Sequence, residues 1–85
     1  MRPERLLRRI RAGDVSNLRF EDVLNLSMKL GFELTRRSGS HHILRHPDLS
    51  EALNLQDAAG QAKPYQVRQF RDLVLRYNLQ IGNKT

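Results

Sequence analysis

Three histidines, His41, His42 and His46, fall within six residues of one another, and of all side chains in this 85-residue chain they are the best suited to chemistry. A zinc site is the first arrangement to test. On a helix, His42 and His46 would share a face and could chelate one ion. On a strand they also share a face but stand about 13 Å apart at roughly 3.3 Å per residue, while His41 and His42 point to opposite faces. The chain has no cysteine, and no carboxylate cluster lies nearby to complete a tetrahedral ligand set. No metal and no other cofactor is therefore expected. Serines are few, and none sits in a nucleophile-elbow context. What remains is Gly39-Ser40-His41 at the junction of a tight turn and a strand, preceded by Arg36-Arg37. Gly39 permits a positive φ and a close approach of phosphate to the backbone. Exposed N–H groups at such a turn can bond phosphate oxygens, Ser40 adds a hydroxyl donor, and the two arginines add charge. An imidazole held against a phosphate beside a ribose 2′-OH can act as general base or acid. The same spacing also describes a hairpin turn followed by a surface histidine.

The charge points to the same kind of ligand. Fifteen Lys and Arg against nine Asp and Glu give a net +6, and twelve of the fifteen are arginine. Arginine's planar fork suits bidentate phosphate contacts, which favours nucleic acid as a partner. The charge is blocked along the chain: +4 over residues 1–11, −2 over 12–35, +3 over 36–46, −3 over 47–60 and +4 over 61–85. Two tyrosines and three phenylalanines are too few for a run of base-stacking platforms. The length allows one domain with one thin core and excludes a cleft between two lobes. Without cysteine there are no disulfides or thiol nucleophiles. No apolar run approaches the roughly 20 residues that span a bilayer, and no signal peptide is evident, so a cytoplasmic protein is expected.

These residues need elements to position them. Pro3 to Ala12 reads as a short helix with Leu6, Leu7 and Ile10 on one face and arginines around the rest; it must dock through its leucines or fray. Phe20 to Leu30 reads as a helix presenting Phe20, Val23, Leu24, Ser27 and Leu30, closed by Gly31 in a left-handed conformation. From Phe32 the period becomes two, so Phe32 and Leu34 point one way and Glu33 and Thr35 the other, as in a half-buried strand. Ser38-Gly39-Ser40 is a turn, His41 to His46 a second strand, and Ser50 to Gln56 a short third strand around Leu53 and Leu55, followed by a loop over Asp57 to Gly60. Pro64 opens a long helix whose buried stripe is Val67, Phe70, Val74 and Tyr77, broadened by Leu73, with Arg68, Arg71 and Arg76 off it. Lys63 places a cation at that helix N-terminus, where free N–H groups and the dipole favour phosphate. The expected fold is α+β: a three-stranded antiparallel sheet with helices on one face, preceded by a short N-terminal helix. This α-β-β-β-α order is that of double-stranded-RNA-binding domains. If Leu44 faces the helices, His42 and His46 share its side; if Ile43 does, His41 turns inward.

Residues 20–79 resemble the HicA (YcfA-like) toxin family of bacterial type II toxin–antitoxin systems. The resemblance runs through Lys29-Leu30-Gly31-Phe32, then Arg37-Ser38-Gly39-Ser40-His41-His42-Ile43 and His46-Pro47-Asp48. It ends with Gln61-Ala62-Lys63-Pro64-Tyr65-Gln66-Val67-Arg68-Gln69, which looks like the family's longer branch. Shorter members begin the last helix with a Gly-Thr-Leu-like string instead. The resemblance implies a small messenger-RNA-cleaving toxin whose catalytic residue is the histidine after Gly-Ser, here His41, held inactive by a HicB-like antitoxin that covers this region. Arg36, Arg37, Gly39, Ser40 and Lys63 are the expected RNA contacts. The expected organisation is an N-terminal basic helical extension over 1–19, a HicA-like domain over 20–79 and a loose tail over 80–85. Two functions remain open: a metal-independent endoribonuclease using one histidine, and a non-catalytic RNA-binding module of the double-stranded-RNA-binding type. A short neighbouring reading frame for an acidic partner would favour the first.

Overall fold

The computed structural model describes residues 1–82. It contains α1 (Pro3–Arg11), α2 (Phe20–Lys29), β1 (Glu33–Ser38), β2 (His41–Arg45), β3 (Leu53–Ala58), β4 (Gln61–Ala62) and α3 (Pro64–Tyr77). The four strands form one antiparallel meander in the order β1-β2-β3-β4. The sheet buries Leu44, Leu53 and Leu55 on one face, together with His42, and the helices cover that face. The fold is α+β with the α-β-β-β-α order of a double-stranded-RNA-binding domain, plus a helix in front of it.

That first helix is part of the core. Leu6 and Ile10 are almost wholly buried, and α1 packs on both α2 and α3. Its last turn is held from outside: the Arg71 guanidinium donates two hydrogen bonds, of 3.1 and 3.0 Å, to the Arg11 carbonyl. Arg71 thus satisfies one of the free acceptors at a helix C-terminus. Helix α2 closes as its sequence implies. Gly31 takes φ +106°, and the Phe32 N–H reaches back 3.1 Å to the Ser27 carbonyl.

Three elements differ from expectation. The strand at residues 32–35 is not half-buried: Phe32 is buried just before β1, but every residue of β1 is exposed, with Leu34 at 40%. β1 is the outer strand of the sheet and packs chiefly on β2 rather than on a helix; a bulge at Thr35 also shifts its register, since Leu34 pairs with Leu44 while Arg36 pairs with Ile43. One extra residue breaks the two-residue period, so Leu34 and Arg36 fall on opposite faces of the sheet. Asp57 to Gly60 is not simply a loop. Asp57 and Ala58 extend β3, Ala59 (φ +54°) and Gly60 (φ +90°) make a two-residue turn, and β4 pairs back. The sheet therefore has four strands, not three. This turn carries no Asn-Gly or Asp-Gly signal; the Asp57 carboxylate stabilises it by accepting the Gly60 N–H at 2.7 Å. On the helices, Leu26 is buried where Leu24 is expected and only half-buried, and Tyr77 is 38% exposed, off the α3 stripe. Leu79 is buried and Ile81 packs against the core; residues 83–85 of the expected loose tail lie outside the described residues.

Candidate active site

β1 and β2 are joined by Gly39 and Ser40 alone. Gly39, at φ +60°, occupies the first of the two central positions, as a type II′ hairpin requires. A Cβ there would meet nothing within 4 Å, so the backbone conformation, not crowding, selects glycine. The turn is tied down from both sides. The Ser40 carbonyl accepts the Asp57 N–H from β3 at 3.0 Å and the His42 Nδ1–H at 3.0 Å.

The three histidines take three different situations. His42 is 6% exposed, on the core side with Leu44, its ring tilted against Phe20 at a centroid distance of 4.7 Å. Its bond to Ser40 makes it a brace for the turn. His46 is half-buried: its Nε2–H donates to the Leu30 carbonyl at 3.0 Å, and its Nδ1 accepts the Asp48 N–H at 3.1 Å. Both ring nitrogens are thus committed to backbone groups, and the tautomer is fixed by its partners. His41 alone is exposed, on the sheet face the helices leave bare. The open question of which face β2 buries is resolved in favour of Leu44. Among the described residues no three His, Cys, Asp or Glu side chains gather into a group that could hold a metal ion.

Cross-strand register locates the other residues. His41 stands between Ser38 of β1 and Gln56 of β3, and Ile43 between Arg36 and Asn54. Directly opposed residues share a face, so Arg36 lies one diagonal step from His41. The Thr35 bulge puts it there. Arg37 pairs with His42 and so belongs to the other face, exposed at the sheet's edge. Asp57, bonded to Ser40 on one side, pairs on the other with Ala62, and the next residue is Lys63. Lys63 therefore lies about two strand spacings, roughly 10 Å, from the turn. The register puts His41, Ser40, Gly39 and Arg36 together at one end of β2, with Lys63 two strands away across the sheet and Arg37 on the opposite face.

One buried residue at this end escaped the sequence. Gln66 is 2% exposed, and its Oε1 accepts the Gln56 N–H at 2.7 Å. Because Asp57 bonds Ser40, alternation in the ladder turns the Gln56 N–H away from β2. β4 would have to continue past Ala62 to pair with it, but the chain enters α3 instead. The Gln66 amide takes the place of the missing strand. The available signal was a Gln at the third position of a helix, where capping boxes reach back to the main chain.

The fold and this site define a small basic domain of the double-stranded-RNA-binding type with one exposed histidine beside a tight turn. The family model described as HicA toxin of bacterial toxin-antitoxin matches residues 20–75, two thirds of the chain, and the chain belongs to that family. Searches of curated proteins and of solved structures find no match. Membership makes the protein a toxin of the toxin–antitoxin kind, with a cognate antitoxin as its partner. Among the described residues no helix is long and apolar enough to cross a membrane.

Proposed function

We propose that the chain is a metal-independent endoribonuclease toxin that cleaves messenger RNA with His41 as its acid–base residue. The observation that carries this reading is the division of labour among the histidines: His42 and His46 are spent on backbone hydrogen bonds, and His41 is exposed beside the turn and Arg36. The chemistry needs little else. The ribose 2′-oxygen attacks the adjacent phosphorus, the bond to the 5′-oxygen breaks, and a 2′,3′-cyclic phosphate and a 5′-hydroxyl result. His41 takes the 2′-OH proton, and water returns a proton to the leaving 5′-oxygen. Arg36, Lys63, the Ser40 hydroxyl and N–H groups of the Gly39–Ser40 turn hold the phosphate oxygens, while Arg37 contacts a neighbouring phosphate from the edge. The RNA target places the protein in the cytoplasm. A HicB-like antitoxin of acidic character suits a +6 surface, because complementary charge speeds association and excludes wrong partners.

Cleavage is expected to persist in excess EDTA and to stop on a substrate with a single 2′-deoxy sugar at the cut site. Loss of activity with EDTA and recovery with a divalent ion would overturn the histidine mechanism. Cutting of the 2′-deoxy substrate would show that water is the nucleophile. Binding of RNA with no cleavage and no growth arrest would leave the non-catalytic module. Addition of the cognate antitoxin is expected to suppress RNA cleavage in proportion to complex formed.

A further inference from the structure

A groove of about 560 Å³ runs along α3 beside the start of β3. Tyr65 and Arg68 line the half nearer the helix N-terminus, and Glu51, Asp72 and Arg76 the other. The far half keeps one net negative charge but is internally paired, since Arg76 bridges both carboxylates and the Tyr77 hydroxyl donates to Glu51 at 3.0 Å. The near half is not. Arg68 is exposed and enters no ion pair among the described residues. Tyr65 is 50% exposed, although a phenol of this size normally buries most of its ring. Its hydroxyl accepts a hydrogen bond from the buried Gln66 Nε2 at 3.3 Å, and the same amide holds Gln56, the residue opposite His41. One glutamine thus fixes the ring in solvent beside the proposed cleavage centre. The groove also borders bare backbone. β4 pairs only with Asp57 and Ala58, and ladder alternation turns the N–H and C=O of Asn54 toward the unpaired edge of β3.

We propose that this groove is a subsite for an unpaired nucleotide of the RNA strand bound at His41. The base stacks on Tyr65, its phosphate meets Arg68, and the free edge of β3 hydrogen-bonds the base. A volume of this size accommodates one nucleotide, and a base with a free face is the ligand an exposed, immobilised aromatic ring recognises. A base inside a duplex is stacked on both faces and its pairing edge is occupied, so the subsite selects single-stranded over double-stranded RNA. The role of the groove as a flanking subsite rests on the ribonuclease reading.

The test uses the intact protein and a fluorescein-labelled 2′-O-methyl RNA oligonucleotide, which cannot be cut, alone and annealed to its complement. Tyr65→Ala is expected to weaken binding of the single strand by about 5- to 100-fold and to leave the duplex nearly unaffected, as base stacking on one aromatic ring predicts. Tyr65→Phe, which keeps the π face but loses the bond to Gln66, should retain most of the binding; Tyr65→Leu, with apolar bulk but no π face, should lose it as Ala does. Arg68→Ala should weaken binding and lower the salt slope by about one. Single-strand binding unchanged in folded Tyr65→Ala, equal losses on both probes, or full binding by Tyr65→Leu would each overturn the proposal. Loss of antitoxin binding with RNA binding intact would also overturn it, making the groove a protein-docking surface. Tyr65-dependent binding by a wild-type protein that cuts no RNA would sink the ribonuclease reading and leave the nucleotide site. RNA cleavage by wild type with Tyr65-independent binding would do the reverse.

Discussion

His41 and His42 are adjacent in sequence and opposite in placement, because a strand sends consecutive side chains to opposite faces. The outer one is free to meet a phosphate; the inner one braces the turn that positions its neighbour. His41→Ala is therefore expected to reduce RNA cleavage by about 10²–10⁴-fold, the usual range for a general acid–base residue, with stability unchanged within about 0.5 kcal/mol. His42→Ala removes a hydrogen bond and a buried ring packed on Phe20, at a cost of about 2–4 kcal/mol by denaturant titration. Growth arrest by a folded His41→Ala protein would mean that the active residue lies elsewhere. Gly31 shows the same economy of position. Its φ of +106° disfavours any side chain, and a Cβ would lie 2.7 Å from His46 Nε2. Gly31→Ala should therefore destabilise by about 1–3 kcal/mol. Adding His46→Ala removes the clash but not the strain, so the double variant should cost less than the sum of the single ones.

At the scale of elements, what could be read from the sequence is what local pattern decides. Both long helices and the Gly39 turn follow from apolar spacing, Pro64, Gly31 and Gly39, and the expected cluster of His41, Ser40 and Arg36 stands at one end of β2. The Thr35 bulge, the turn at Ala59 and the Gln66–Gln56 bond were hidden because each depends on a partner distant in sequence or on a backbone choice no residue type announces. Grouping Arg37 with Arg36 fails for a different reason: β1 runs on through Ser38, and alternation then sends the two consecutive arginines to opposite faces. The end of α3 shows another contact of this kind. Glu51, in the loop before β3, accepts the Tyr77 hydroxyl and pairs with Arg76. The Tyr77 hydrogen bond first, then the backbone and Arg76, hold its carboxyl below the ordinary carboxylate range. A group with a lowered folded-state pKa contributes its stabilisation above its unfolded value and loses it as pH falls through the folded one. The gap in melting temperature between wild type and Glu51→Gln should thus be present at pH 7 and shrink on acidification below pH 4.5, the unperturbed value. Salt should shrink it too, since the pair is exposed. A gap that widens in acid would exclude this ion pair as its source.

Across the whole molecule, the helices occupy one side of the sheet and His41 the other, so the exposed histidine and the core are segregated by face. This arrangement leaves the sheet as a thin layer whose stability depends on the helical side being complete. The family match begins at residue 20, yet Leu6 and Ile10 of α1 sit among the most deeply buried side chains, and Arg71 of α3 is committed to the Arg11 carbonyl. Removal of residues 1–12 would expose the apolar surfaces of α2 and α3 that those two side chains cover and would leave a guanidinium without its acceptor. Two buried aliphatic side chains are worth about 1.5–3 kcal/mol each. Their loss alone takes about 3–6 kcal/mol from a domain whose total is of the order of 5–15 kcal/mol. The truncated chain is expected to lose most of its cooperative unfolding transition in calorimetry, and an antitoxin selective for the folded form would rescue it in part. Arg71→Ala in the full chain is the milder version, with a cost of about 1–3 kcal/mol for the lost charge-assisted bonds. If the truncated protein melts at the wild-type temperature, α1 is an appendage and its arginines, not its leucines, are the reason it is there.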